Sequence, residues 1–196
     1  CLVGSEMCIR DRTNIFSNGS FMFISGNNAQ INLNSANSLI DFEQGATLTS
    51  GTKVNVGYGK LESGNDVVVD QGSSIDLYYN ANNHGIIDID GDIDLSAENA
   101  NINITGIASN PNGLVNFGSV NSIINSTNIN AELGWLTEIT SISSSNNLEV
   151  TYAYRSLTNH KSSLLISSNA LSAIDSLLPS NSQFEAINNL GESSGI

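Results

Sequence analysis

Short runs with apolar residues at alternate positions recur about every 24 residues through the first two thirds of this chain. Four units align. They are AQINLN (29–34) with LIDFEQG (39–45), TKVNVG (52–57) with DVVVDQG (66–72), SSIDLY (73–78) with GIIDIDG (85–91), and ANINITG (100–106) with GLVNFGS (113–119). The apolar pairs of the first strands are Ile31/Leu33, Val54/Val56, Ile75/Leu77 and Ile102/Ile104, at steps of 23, 21 and 27 residues. Those of the second strands are Ile40/Phe42, Val67/Val69, Ile87/Ile89 and Val115/Phe117. ATLTSG (46–51) and DIDLS (92–96) read as extra alternating pieces. Alternation with period two sends apolar side chains to one face of a strand and Asn, Asp or Lys to the other. No single unit can bury its own apolar face, but units stacked ~4.8 Å apart can. Ile31, Val54, Ile75 and Ile102 then form one internal ladder. The expected fold is all-β, a right-handed parallel β-helix of about 24 residues per coil with a C-terminal α-helical segment. A β-sandwich would want a tight turn between every strand pair; Asp90-Gly91 and Asn112-Gly113 occur, yet the pattern is a two-strand unit recurring at about 24 residues rather than a hairpin meander. A propeller needs four strands and ~40 residues per blade.

Composition supports a strand-rich chain. Of 196 residues, 30 are Ser and 29 Asn, types that bond competing backbone groups and favour turns over helix interiors. Recurrent valine and isoleucine argue against disorder. Six Lys and Arg against 19 Asp and Glu, a net charge of −13, argue against a nucleic-acid partner. No apolar run approaches the ~20 residues of a membrane-spanning helix. Residues 1–12, CLVGSEMCIRDR, match nothing after them and resemble translated sequencing-adapter DNA. They also lack the long apolar stretch and small-residue cleavage site of a signal peptide. We set them apart as non-native. Both cysteines, Cys1 and Cys8, lie there, so from Thr13 onward neither a disulfide framework nor a thiolate zinc site is possible.

The expected organisation is therefore 13–119 as the repeats, 120–157 as an end cap and 158–196 as helices. In the cap, LTEITSIS (136–143) and LEVTYAYRSL (148–157) flank Ser144-Ser145-Asn146-Asn147 as a hairpin, with Trp135, Tyr152 and Tyr154 available to pack the last coil. Beyond Thr158 the apolar period is helical, with Leu164, Leu171, Ile174 and Leu178 joined by Leu165, Ala170 and Leu177. Pro179 ends that helix, and Ser182-Gln183-Phe184-Glu185 reads as a capping box for a shorter one, with Phe184, Ile187 and Leu190 on one face and Gly191 as its stop. The concentration of large apolar residues after Val120 makes 120–157 the expected most stable part, a template for the coils before it.

This order resembles the junction between passenger and translocator in bacterial autotransporters of type V secretion. It comprises an Asn/Ser/Gly-rich β-helix, a cap strand LEVTYAYRSL, then NALSAIDSLLPSNSQFEAINNLGE (169–192). The resemblance covers Asn14 to about Gly191 and rests on order and composition. It implies an autochaperone-like cap, a linker helix, and a C-terminal outer-membrane barrel as partner, with its ~10-residue alternating strands. That barrel is absent from this sequence. The chain implied is a fragment of a surface-exposed, outer-membrane-tethered passenger with a stalk or adhesin role that contacts cell-surface or glycan ligands.

No catalytic, cofactor-binding or metal residue is assigned from the sequence, and no enzyme activity is expected. No nucleophile elbow, zinc-protease, P-loop or dinucleotide motif occurs. His84 and His160 read as surface residues without triad partners. Lys53, Lys60, Arg155 and Lys161 do not cluster as a polysaccharide lyase would require. In IIDIDGDIDLS (86–96), Asp88, Asp90, Asp92 and Asp94 alternate with apolar residues and could offer oxygens to Ca²⁺. Yet Ile93 and Asn99 stand where an EF-hand needs Gly and Glu, so a solvated strand face is the simpler reading. The alternative function is a free-standing β-helix that binds or cleaves polysaccharide, for which Tyr58, Tyr78 and Tyr79 are the available aromatics.

Overall fold

Alternating side chains decide the fold because each strand has one buried face and pairs in register with its equivalent a unit away. The computed structural model describes residues 7–9, 14–16, 22–24, 29–33, 35–49, 51–157, 168–180 and 184–188. Strands dominate, and numbered along the chain they fall into parallel ladders. The first ladder holds β1 (Met7–Ile9), β4 (Gln30–Leu33), β7 (Lys53–Gly57), β10 (Ser74–Tyr79), β12 (Asn101–Gly106) and β14 (Ile129–Glu132). Ile31 lies opposite Val54, Val54 opposite Ile75, Ile75 opposite Ile102 and Ile102 opposite Ile129. All five are buried. The expected internal ladder of the first strands is therefore present, with one more member. Met7–Ile9, within the segment set apart as non-native, extends it by pairing parallel to Ile31–Leu33.

The second sheet corrects the two-strand unit. It contains β2 (Asn14–Phe16), β5 (Leu39–Phe42), β8 (Lys60–Ser63), β9 (Val67–Val69), β6 (Ala46–Leu48) and β3 (Met22–Ile24), joined through the long β11 (Ile86–Asp94). The first half of β11 pairs with β8 and β5's ladder, Ile40 opposite Leu61 and Leu61 opposite Ile87. Its second half pairs with β9, Ile93 opposite Val67, and Val67 lies opposite Ala46. Each unit thus contributes three strands. Val67/Val69 do not align with Ile40/Phe42 and Ile87/Ile89, and the pieces taken as extra, 46–48 and 92–94, are regular members of a third ladder. The overlooked strand was β8, Lys-Leu-Glu-Ser, which shows a single apolar residue. Ser63 occupies its second inward seat opposite Phe42, where the larger ring fills the space. The Ser63 Oγ lies within hydrogen-bonding distance of the Phe42 and Asn65 carbonyls, at 3.0 and 2.8 Å, so its single O–H has an acceptor and the buried polar group is satisfied.

Val115 and Phe117 are also re-registered. They lie in the first half of β13 (Gly113–Ile124), where Val115 is opposite Val150 in an antiparallel pair. The residues that continue the ladder are instead Gly118, opposite Ile87, and Val120, opposite Ile89. Gly118 sits at φ +115°, and a Cβ there would lie 1.8 Å from the Ile87 carbonyl oxygen. Only glycine fits this approach. The other partner of β13 is β15 (Thr137–Tyr154), extended along its length yet folded back on itself. The Arg155 N–H donates to the Leu136 carbonyl at 2.8 Å, and the Thr140 hydroxyl to the Thr151 carbonyl at 3.1 Å. Asn146, at φ +67°, marks the reversal. This is the hairpin expected around 144–147.

One apolar cluster runs from Ile31 to Tyr152, and a second gathers Leu136, Leu157, Leu178 and Phe184 with Trp135, Tyr154 and Ile187. The expected helix is α1 (Ser168–Leu177), shorter than its periodicity suggests, and Leu164 and Leu165 lie outside the described residues. Its stripe is only partly covered. Leu177 is 67% and Ile174 38% exposed, while Leu178, in the short 3-10 turn that follows, is buried. Residues 184–188 are helical, while Ser182, Leu190 and Gly191 lie outside the described residues. Among the described residues, no helix is long and apolar enough to cross a membrane.

The ladders predict a sharp contrast in urea denaturation. Ile75→Ala, in the middle of the first ladder and fully buried, should lower stability by about 2–5 kcal/mol. Leu114→Ala, at a site 58% exposed, should change it by no more than about 0.5 kcal/mol. Equal effects would contradict the inward assignment.

Candidate functional site: an acidic groove across three strands

The parallel register that aligns inward residues aligns outward ones too. Asp41 lies opposite Glu62, Glu62 opposite Asp88, and Asp88 opposite Ser119. These positions alternate with the buried Ile40/Phe42, Leu61/Ser63 and Ile87/Ile89. The result is a groove of about 270 Å³ lined by Asp41, Glu43, Glu62, Ser63, Gly64, Asp88 and Asp90. Neighbouring strands are ~4.8 Å apart, so carboxylates one rung apart repel unless a cation intervenes.

Lys60 intervenes on one side only. Its Nζ forms ion pairs with Glu62 and, at 2.9 Å, with Asp88 Oδ2. Hydrogen bonds to Glu62 and then Asp88 hold the ammonium above the usual lysine range. Asp88 is pulled below the usual carboxylate range, first by the Ser119 hydroxyl that donates to it and then by Lys60. Asp41 moves the other way. Partial burial, with Glu62 and Glu43 beside it, pushes its carboxyl up. One groove therefore holds a carboxylate stabilised as an anion and another that resists ionisation. Chemically, it favours cationic or hydrogen-bond-donating groups and repels anions.

The four aspartates of 86–96 all take outward positions on β11 but divide between its two halves, which pair with different strands. β11 turns at Asp90-Gly91, where its register against β13 shifts. Asp88 faces the groove, whereas Asp92 Oδ1 accepts from Asn121 Nδ2 at 2.6 Å and the Ser122 hydroxyl at 2.9 Å. Asp94 Oδ1 accepts the Ser96 N–H at 2.8 Å. Among the described residues no three His, Cys, Asp or Glu converge as a metal site. His84 is half-buried rather than a free surface residue, packed edge-on against Phe117 with ring centroids 5.7 Å apart and near Tyr79. His160 and Lys161 lie outside the described residues, while Lys53 and Arg155 are exposed and apart from the groove. Tyr58, in the turn after β7, and Tyr78, in β10, do meet, edge to face at 6.0 Å, with Tyr78 exposed.

Asp41, Glu43 and Glu62 were not singled out by sequence. Their signal was the outward position in LIDFE and KLES, legible only once those strands are paired. Comparison with protein-family models gives no match, and neither curated proteins nor solved structures give a significant one.

Lys60→Met tests the electrostatics. A depressed carboxylate contributes stability above its ordinary range and loses it as pH falls through the depressed value. A raised lysine contributes below its ordinary range and loses it as pH rises through the raised value. The variant should therefore be less stable by about 1 kcal/mol near neutral pH. The difference from the parent protein should shrink as pH falls through the depressed Asp88 value and the carboxylates take up protons. A loss that persists unchanged at low pH would assign the effect to packing.

Proposed function

We propose that this chain is a β-helical segment of a surface-exposed autotransporter passenger, with a structural stalk or adhesive role and no catalysis. The observation that carries the reading is the recurring three-strand unit, whose equivalents pair in parallel register and end against an antiparallel hairpin and an amphipathic helix. In this reading the three ladders are the faces of a parallel β-helix. Such a shaft sets length and presents a repeating outer face, with stability passed from neighbour to neighbour. The encoded sequence downstream of Ile196 tests the reading. Antiparallel barrel strands of about 10 alternating residues with aromatic girdles are expected there. A reading frame that continues without them removes the assignment.

A glycan-binding module is the second reading, favoured by the Tyr58–Tyr78 pair on the outer surface. The acidic groove would repel polyuronates, so neutral or amino-bearing glycans fit its charge better. On a glycan array, binding that Tyr78→Ala abolishes would support this reading.

A further inference from the structure

The chain that follows the last strand of the first ladder is tied down by residues remote in sequence. Beyond β14 the chain passes through Leu133, Gly134, Trp135 and Leu136, and residues 184–188 lie against it. Asn188 is fully buried. Its Oδ1 accepts the Leu136 N–H at 2.8 Å, and its Nδ2 donates to the carbonyls of Leu133 at 3.0 Å and Ala108 at 3.2 Å. Both amide hydrogens and the carbonyl oxygen of the side chain are thus engaged with main-chain groups. Gly134, at φ +97°, lets the backbone pass beneath; a Cβ there would fall 2.3 Å from Asn188 Nδ2. Trp135 Nε1 donates to the Ile187 carbonyl at 2.9 Å, and Phe184 is buried among Leu136, Leu157 and Leu178. A second anchor lies on α1. There Asp175 accepts the Tyr154 hydroxyl and the Leu157 N–H, each at 2.6 Å, and the Ser156 hydroxyl.

We propose that this end of the fold is a docking site for one asparagine-bearing helical turn, and that its occupant is the chain's own segment 184–188. A carboxamide is a planar donor–acceptor group like a peptide unit. At Asn188 it accepts one main-chain N–H and donates to two carbonyls, tying together the Leu136, Leu133 and Ala108 backbone beyond the strands. The site discriminates by chemistry. Aspartate would aim oxygen at the Leu133 and Ala108 carbonyls, and alanine would leave the Leu136 N–H without its acceptor. The inference stands on these contacts alone and is independent of the autotransporter reading.

Hydrogen exchange on the full chain tests it, with Asn188→Asp and Asn188→Ala set against Glu185→Gln, a change at an exposed position of the same segment. In the parent protein and Glu185→Gln, the Leu136 amide should exchange at least about tenfold more slowly than in either Asn188 variant, the effect of one lost buried hydrogen bond. The β7 amides should keep their protection in all four proteins, and the emission of Trp135, the single tryptophan, should shift red in the two Asn188 variants. Unchanged exchange at Leu136 in Asn188→Ala would overturn the proposal. So would a matching loss of protection in β7, because Asn188 would then belong to the global fold rather than to a docked segment.

Discussion

Parallel register between equivalent strands, with an apolar residue at every second position, is the constraint on which the rest depends. A strand of three to six residues buries one, two or at most three side chains of its own, too little to order its backbone. Set between two equivalents, the same strand has both edges hydrogen-bonded and its inward residues covered above and below. Val54 is held by Ile31 and Ile75, and Leu61 by Ile40 and Ile87. Stability is then collective along the ladder.

The same constraint explains the composition and the acidic groove. Corners between ladders need tight turns, and asparagine at positive φ serves at Asn99 and Asn125. Small hydroxyl residues enter the interior where the chain bends. Thr52 and Ser73 are buried one unit apart, and the Thr52 N–H donates to the Ser73 hydroxyl at 3.1 Å. Outward positions carry no packing requirement, so charge can gather there. Register then sets Asp41, Glu62 and Asp88 side by side and leaves Lys60 to relieve two of the three.

Legibility in the sequence follows the same physics. The first ladder was readable because every member presents two alternating apolar residues, from Ile31/Leu33 to Ile102/Ile104. The second was misread because β8 offers only Leu61, with Ser63 buried in an apolar seat, so Val67/Val69 were aligned one ladder too early. Alternation identifies a strand and its faces, but pairing is a long-range choice that local pattern leaves open. The acidic groove was invisible for that reason, since none of its carboxylates adjoins its partner in sequence. Asn188 carried no signal at all. An asparagine among 29 becomes distinctive only when three remote main-chain groups converge on its side chain.

Interstrand backbone NOEs are the most direct measure of the three-strand register. Contacts between the main chains of Val54 and Ile75, Ile75 and Ile102, Leu61 and Ile87, and Val67 and Ile93 are expected, with none between Val67 and Ile87. Main-chain contacts between Val67 and Ile87, with Leu61 unpaired to either neighbour, would restore a two-strand unit and contradict the register on which the ladders, the core and the groove are built.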